Sequence, residues 1–218
     1  GFLEENEIYG NADAGVLIET GGNPVLRKNS VHTGRGNGIW VKTQGLGRIE
    51  ECEIYSNQKA GVLITTAANP TLLKNRIHDG KGEGVLVTED GQGMLTENQI
   101  YSNEDHGVTI AKCGAPVLLK NKIFSGKQCG INVQLNGLGR IEDNDIYENT
   151  KAGLEIRDPN SNPKVSKNRL YGGRDCGVHV TLDARGMLTD NDIYKNVEAG
   201  VKIELSGNPT VRRNKIHD

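Results

Sequence analysis

Hydrophobic and polar residues alternate along the chain in short runs that recur every 23 residues. Each recurrence contains a Gly followed by an aliphatic, a variable and a second aliphatic residue, as in Gly61-Val62-Leu63-Ile64. The opening glycines are Gly15, Gly38, Gly61, Gly84, Gly107, Gly130, Gly153, Gly177 and Gly200, with one 24-residue step before Gly177. A fixed period of this length predicts a solenoid, in which each repeat buries its apolar face against its neighbours.

The apolar residues have the spacing of strands. They alternate with polar residues over short runs, which is the period of a β-strand, and no stretch shows the spacing of an amphipathic helix. A leucine-rich repeat requires Leu-x-x-Leu-x-Leu-x-x-Asn, whereas this chain has Leu-x-x-Asn-x-Ile, as at Leu95, Asn98 and Ile100. A left-handed coil of hexapeptides is disfavoured because 23 is not a multiple of six. The sequence therefore predicts an all-β, right-handed parallel β-helix of about nine to ten coils.

An Asn recurs with the same period and predicts a ladder inside the bends. Its members are Asn6, Asn29, Asn75, Asn98, Asn121, Asn144, Asn168, Asn191 and Asn214, with Cys52 in the place of one Asn. Stacked Asn side chains can donate their amide groups to the backbone and to the next coil, and Asn tolerates the left-handed backbone of bends. We interpret Cys52 as a local break in this ladder.

Unlike coils alternate, so the complete repeat has 46 residues. Coils entered through Asn-Pro, such as Asn69-Pro70, alternate with coils entered through Gly, such as Gly93. The residue before the ladder position changes sign at each coil: Glu5, Lys28, Glu51, Lys74, Glu97, Lys120, Asp143, Lys167, Asp190 and Arg213. This column predicts exposed ion pairs, each of which contributes roughly a few tenths of a kcal/mol to stability, as is usual for ion pairs at a protein surface. Because the charges cancel and the net charge is −2, nucleic acid is not an expected partner.

Composition excludes several other classes. No apolar run is long enough to span a bilayer, so no membrane partner is expected. The four cysteines show no Cys-x-x-Cys spacing, so we expect neither zinc nor another cofactor; they are Cys52, Cys113, Cys129 and Cys176. Cys129 and Cys176 share a register but lie two coils apart, beyond the reach of a disulfide. Reduced thiols indicate an intracellular location, in the cytoplasm or the nucleus.

Residues 1–218 are predicted to form one β-helix domain. Both ends fall inside a repeat and lack the atypical segment that caps a solenoid, so we expect an excised piece of a longer protein. Uncapped coils expose unpaired strand edges, which predicts a tendency to associate end to end.

The variable residue two positions after each Gly is predicted to point outward. In the first four coils these residues are apolar: Leu17, Trp40, Leu63 and Leu86. A contiguous exposed apolar stripe around a Trp is typical of a contact surface. We therefore predict a protein-binding site at these four residues, unless another segment of a longer protein covers them.

Later coils carry polar residues at the same outward position and supply an alternative site. Glu155, His179 and Lys202 follow one another on three coils, and Asp158 lies in the coil with the inserted residue. Clustered carboxylates beside a basic residue are what polysaccharide lyases, hydrolases and epimerases require, although an ordinary polar surface has the same appearance. We read His106, where equivalent coils have Ala, as a surface variation.

Aromatic residues form one further column, at Tyr9, His32, Tyr55, His78, Tyr101, Phe124, Tyr147, Tyr171, Tyr194 and His217. Rings stacked at the coil spacing stabilise a solenoid by offset packing. The histidines of the first coils recur two coils apart, at roughly 10 Å, so they are not expected to bind a metal together.

The repeats resemble those of one known family. The segments Asn208-Pro-Thr-Val-Arg-Arg-Asn-Lys-Ile-His-Asp218 and Gly139-Arg-Ile-Glu-Asp-Asn-Asp-Ile-Tyr147 are similar to the β-helix repeats of the F-box-only protein 11 family. The resemblance implies a non-enzymatic scaffold that recognises protein substrates or adaptors for an SCF-type ubiquitin ligase. The alternative is a β-helix that binds or processes a carbohydrate polymer.

Overall fold

The computed structural model describes all 218 residues as three parallel sheets that wind around one core. The first sheet has ten strands: β1 (Phe2–Glu4), β4 (Val25–Arg27), β7 (Arg48–Glu50), β10 (Thr71–Leu73), β13 (Met94–Thr96), β16 (Val117–Leu119), β19 (Arg140–Glu142), β22 (Lys164–Ser166), β25 (Met187–Thr189) and β28 (Thr210–Arg212). The predicted all-β parallel solenoid is confirmed.

The second sheet also has ten strands, each following a strand of the first after a two-residue bend. They are β2 (Glu7–Tyr9), β5 (Ser30–His32), β8 (Glu53–Tyr55), β11 (Arg76–His78), β14 (Gln99–Tyr101), β17 (Lys122–Phe124), β20 (Asp145–Tyr147), β23 (Arg169–Tyr171), β26 (Asp192–Tyr194) and β29 (Lys215–His217). Its outer face carries the predicted aromatic column, whose neighbouring ring centroids lie between 4.6 Å, for His78 and Tyr101, and 5.5 Å, for Tyr9 and His32.

The third sheet has nine strands and carries the candidate sites on its outer face. They are β3 (Ala14–Ile18), β6 (Asn37–Val41), β9 (Val62–Ile64), β12 (Val85–Val87), β15 (Val108–Ile110), β18 (Ile131–Val133), β21 (Leu154–Ile156), β24 (Val178–Val180) and β27 (Val201–Ile203). The chain contains no helix long and apolar enough to cross a bilayer.

Strand pairing follows the sequence period directly. Leu72 pairs with Leu95, 23 residues later, and the inserted residue gives Leu154 and Val178 a separation of 24. Like positions therefore stack from coil to coil, and their inward aliphatic side chains form one cluster of 34 buried residues. This stacking keeps the outward side chains in equally regular columns.

The Asn ladder is present in the predicted form. Asn98 donates from Nδ2 to the carbonyl oxygen of Leu72 and to Oδ1 of Asn121, at 3.0 Å each. Its own Oδ1 accepts from the backbone N–H of Asn75 at 2.9 Å. Buried backbone groups at the bend are thereby satisfied, which is a strong requirement in a solenoid interior.

Cys52 continues the ladder in a weaker form. Its backbone N–H donates to Oδ1 of Asn75 at 3.0 Å, so the coil below is bonded normally. Its sulfur accepts from the backbone N–H of Asn29 at 3.4 Å and lies 3.6 Å from the carbonyl oxygen of Leu26. Sulfur is a weak donor and acceptor. The contacts of Cys52 therefore follow the pattern of the ladder, but they are weaker than those of an Asn.

The left-handed backbone falls one residue before the position that the sequence suggested. The charged residue that precedes each ladder Asn has a positive φ, for example 55° at Lys74 and 56° at Glu97. Of the predicted ion pairs within this column, Lys28–Glu5, Lys74–Glu97 and Arg213–Asp190 form, at 3.5, 3.8 and 2.8 Å. The side chains leave the bend toward solvent, so many neighbours in the column stay apart.

Candidate functional site

Side chains on the outer face of the third sheet form one continuous row, which we call the outer column. Successive members are paired in register, for example Trp40 with Leu63, Leu86 with Thr109, and Asn132 with Glu155. The complete column is Leu17, Trp40, Leu63, Leu86, Thr109, Asn132, Glu155, His179 and Lys202. Both sequence-predicted sites therefore lie on the same face, one after the other.

The apolar half of the outer column lies along a groove. Leu17 is 44% exposed, whereas Trp40, Leu63 and Leu86 are half-buried. The groove has a volume of about 430 Å³ and is lined by Asp13, Asn37, Trp40, Gln58, Lys59, Ala60, Leu63, Gly82, Glu83 and Leu86, and we call it the apolar groove. The predicted stripe thus has one exposed member and three that form the floor of a depression.

Trp40 is held in this groove from one side. The ammonium group of Lys42 lies 4.3 Å from the centroid of the Trp40 ring, and Lys42 also pairs with Glu19 at 3.3 Å. A cation over the face of an indole is an attractive contact, so Lys42 restricts the ring. The Nε1 atom of Trp40 is buried and has no hydrogen-bond partner.

Glu83 is a groove residue that the sequence reasoning did not single out. It stands directly before Gly84, where most coils have a small residue, and lies next to the His106 coil. Burial raises the pKa of the Glu83 carboxyl group, and the negative charge of Asp105 raises it further. Its equivalents in the 46-residue repeat are Asn37, Cys129 and Cys176, so the charged side chain at this register was the signal that would have identified it.

The polar half of the outer column lies along a second groove of about 360 Å³. It is lined by His106, Gln128, Cys129, Lys151, Ala152, Glu155, Arg157, Asp175 and His179, and we call it the polar groove. His106 therefore lies in a groove wall, and its Nδ1 accepts from the backbone N–H of Cys129 at 3.2 Å.

The structure brings together three of the four predicted polar residues. Nδ1 of His179 lies 3.5 Å from Oε1 of Glu155, and Nε2 lies 3.0 Å from Oε1 of Glu204. Lys202 pairs with Glu204 at 3.3 Å, so Glu204 joins Lys202 to the other two. Sequence periodicity did not identify Glu204, because it belongs to a neighbouring register and reaches across to the outer column.

Asp158 lies apart from this network. It is at the turn that follows the third sheet, where its Oδ2 accepts from the backbone N–H of Leu135 at 3.3 Å. The same oxygen is 3.9 Å from Nε of Arg157, and the Asp158 side chain lines a different depression. Asp158 is connected to the polar groove only by its contact with Arg157, which lines that groove.

The cations of the polar groove are largely free of carboxylate partners. Lys151 is exposed and forms no ion pair, and Arg157 reaches only Asp158. The Nε atom of Arg157 is buried without a hydrogen-bond partner. Sequence reasoning missed both residues because neither occupies the outward position that was compared between coils.

One group of side chains has the spacing of metal ligands. The ligand atoms of Asp175, Cys176 and Glu198 all lie within 4.8 Å of one another. Burial, followed by the Asp175 carboxylate, raises the pKa of the Cys176 thiol to about 11. The thiol is therefore protonated at neutral pH in the metal-free protein, and a bound metal would have to displace that proton.

The family comparison agrees with the fold. The model of the family described as right handed beta helix region matches residues 35–154 and 107–218. No curated protein matches the chain significantly. Neither the family model nor the structural neighbours described next support the resemblance to the F-box-only protein 11 family.

Several solved β-helices are similar in structure. The A-module of the Azotobacter vinelandii mannuronan C-5 epimerase AlgE4 has 12% identity and a TM-score of 0.68, over 98% of this chain and 73% of that chain. A variant of the periplasmic alginate epimerase AlgG has 15% identity and a TM-score of 0.76, over 91% and 61%. The pectate lyase Pel9A has 11% identity and a TM-score of 0.70, over 95% and 68%.

At these identities the structural likeness concerns the fold alone, and the chain spans about three fifths to three quarters of the length of those proteins. The family match covers most of the chain and agrees with the three parallel sheets. The chain belongs to the right-handed β-helix region family.

Proposed function

We propose that this β-helix binds an acidic polysaccharide along the outer column of the third sheet. The observation that carries the proposal is the polar groove, where Lys151 and Arg157 flank Glu155, Lys151 forms no ion pair, and Arg157 has only a long one, at 3.9 Å, to Asp158. The structural neighbours act on polymers of this kind: their names describe alginate or mannuronan epimerases and a pectate lyase. That likeness supports the polymer class, and the residues of this chain supply the argument for binding.

The shape of the site suits an extended polymer. From Trp40 to His179 the outer column runs for about 29 Å, at about 4.8 Å per coil. The apolar and polar grooves lie along the same column, one after the other. A chain of several sugar residues could therefore contact both at once.

The two grooves offer complementary contacts. Half-buried Trp40, Leu63 and Leu86 present an apolar surface against which the C–H face of a sugar ring can pack. A guanidinium and an ammonium group bind carboxylates through charge-assisted hydrogen bonds, which are stronger than those between neutral groups. Lys151 and Arg157 would thus select polymers that carry uronic acid groups.

The geometry favours binding over turnover. A histidine acts as a general base through a ring nitrogen that faces the substrate and not another side chain. Both nitrogens of His179 face carboxylates, those of Glu155 and Glu204. We therefore propose a non-catalytic binding role, and retain polymer cleavage or epimerisation as an outcome that assays can reveal.

The proposal is tested by binding measurements with sodium alginate, polygalacturonate and neutral dextran. Calorimetry should show binding of an acidic polymer, little binding of dextran, and weakening with added salt because exposed charges are screened. The double substitution Lys151→Gln and Arg157→Gln should lower the affinity about tenfold or more, as expected for the loss of charged hydrogen bonds.

The matched control is the double substitution Lys122→Gln and Lys164→Gln, which removes two exposed lysines from the second and first sheets. It should leave the affinity nearly unchanged. Absence of acidic-polymer binding by the unmodified protein, or equal losses in both double variants, would contradict the proposed site. Appearance of unsaturated uronate or an altered uronate ratio would instead identify an enzyme.

A second candidate is a protein-interaction scaffold, which exposed Leu17 beside Trp40 favours. The resemblance of the repeats suggests one specific scaffold of this kind, an intracellular substrate receptor of an SCF-type ubiquitin ligase. Affinity capture from cell extract with the unmodified protein and a Trp40→Ala variant tests it. A protein retained by the first and lost by the second, together with no polymer binding, would favour this candidate.

A further inference from the structure

Buried polar atoms without a hydrogen-bond partner are concentrated on the outer face of the third sheet. The chain has seven such side-chain atoms. Trp40 Nε1, Thr109 Oγ1, Asn132 Oδ1 and Arg157 Nε belong to this one face, and the other three are Arg27 Nε, Thr96 Oγ1 and Ser161 Oγ. A buried polar group without a partner destabilises the folded state, so such a concentration calls for an explanation.

Thr109 and Asn132 are the most deeply placed of the four. Each is 2% exposed, although strand alternation directs both away from the core, whose inward neighbours are Val108 and Ile110. They are paired with each other in the outer column, between Leu86 and Glu155. They therefore lie between the side chains that line the apolar groove and those that line the polar groove, without lining either one, and we call this covered pair the polar floor.

Folding alone does not require polar residues at this floor. Two coils earlier the equivalent positions are occupied by Leu63 and Leu86. Their side chains have no polar atoms and therefore leave no hydrogen-bonding group unsatisfied. Replacing an unsatisfied buried polar group by an apolar group of similar shape is commonly neutral or stabilising. Thr109 and Asn132 thus lower stability relative to Val and Leu, with no compensating bond in the unliganded protein.

We infer that Thr109 and Asn132 form a subsite that recognises hydroxyl groups of the bound sugar ring, which rests on the proposed polysaccharide function. The Asn132 Oδ1 atom accepts a hydrogen bond from a sugar hydroxyl, and the Thr109 hydroxyl either donates or accepts. The ligand displaces the side chains that cover the floor and supplies the missing partners. Arg157, in the next coil, holds the carboxylate of the same polymer.

The experiment measures thermal stability and polymer affinity in the same set of variants. Thr109→Val and Asn132→Leu remove the polar atoms and keep the branched shape of each side chain, and Leu already occupies the Asn132 position two coils earlier, at Leu86. Each should leave the melting temperature unchanged or raise it, while lowering the affinity for alginate or polygalacturonate by about threefold to tenfold, the range for one lost neutral hydrogen bond. Thr109→Ser retains the hydroxyl and should keep most of the affinity.

The matched control is Thr96→Val, which removes another buried, unpartnered hydroxyl, on the first sheet. It should change stability in the same direction as Thr109→Val and leave polymer binding unchanged. If the unmodified protein binds and the Thr109 and Asn132 variants bind equally well, the subsite is wrong and the wider function stands. If the unmodified protein binds none of the polymers, both proposals fail. A lower melting temperature in both variants, with unchanged affinity, would assign these residues a structural role and overturn the subsite.

Discussion

Nδ1 of His179 lies 3.5 Å from Oε1 of Glu155, its neighbour in the preceding coil. The pair crosses the only 24-residue step of the chain, so the inserted residue does not disturb the register of the third sheet. The insertion is accommodated at the turn that contains Asp158, outside the polar groove. The inserted residue therefore lies close to the polar groove but is not part of it.

The contribution of Trp40 is predicted to be larger for binding than for folding. Trp40→Ala should lower the affinity for an acidic polymer about tenfold, because the largest apolar surface of the groove is lost. Stability should fall by about 1–2 kcal/mol, less than the 3–5 kcal/mol typical of a core aromatic residue, since Trp40 is only half-buried. Met94→Ala, at an exposed position of the first sheet, is the control. Unchanged affinity in Trp40→Ala would remove the apolar groove from the binding site.

Restoring Asn at position 52 is predicted to stabilise the protein. Cys52→Asn would replace a weak sulfur contact by amide bonds to Asn29 and Leu26, like those elsewhere in the ladder. We expect the free energy of unfolding to rise by about 0.5–1.5 kcal/mol, the range for a net hydrogen bond. Urea denaturation measures it, with Cys113→Asn at an exposed turn as the control. A less stable Cys52→Asn variant would show that the cavity has adapted to sulfur.

The glycine at the start of each third-sheet segment is predicted to be required by close packing. A Cβ atom at Gly84 would lie 2.4 Å from Cγ2 of Ile100 and 2.6 Å from the carbonyl oxygen of Gly107. The carbonyl belongs to the neighbouring coil and cannot move alone, so Gly84→Ala should destabilise by about 1–3 kcal/mol, as overpacking does. Gly1→Ala meets nothing within 4 Å and should have no measurable effect. Equal thermal midpoints for the two variants would contradict this account.

Acid is predicted to weaken a bridge on the exposed surface. Glu104 accepts hydrogen bonds from Lys81 at 2.8 Å and Lys127 at 2.9 Å, and these contacts lower its pKa to about 2. A lowered folded-state pKa stabilises the fold above the ordinary value near 4.5, and this stabilisation is lost as the pH falls toward 2.

NMR titration of the Glu104 carboxyl group measures the pKa directly. The difference in stability between the unmodified protein and Glu104→Gln should shrink between pH 4.5 and 2. The effect should be small, since the group is exposed and salt screens it. A carboxyl group that titrates near its ordinary value would show that the double bridge does not persist in solution.

Regular stacking explains why so much of the architecture was predictable. Asn98 bonds to Asn121 and Ile77 pairs with Ile100, each 23 residues away, so one spacing specifies both ladder and core. Contacts between different registers follow no such rule. His179 contacts Glu204, which is 25 residues away. This contact depends on how far the two side chains extend across the sheet.

The amino-acid sequence by itself determined the solenoid, its strands and the residues that share the outer column, because each of these depends on equal positions in adjacent repeats. The tertiary structure decided that Trp40, Leu63 and Leu86 lie in a groove, that Lys151 and Arg157 flank Glu155, and that Thr109 and Asn132 are buried without partners. Depth and pairing at this face arise from side chains of different columns packing together, and a one-dimensional period contains no information about that packing.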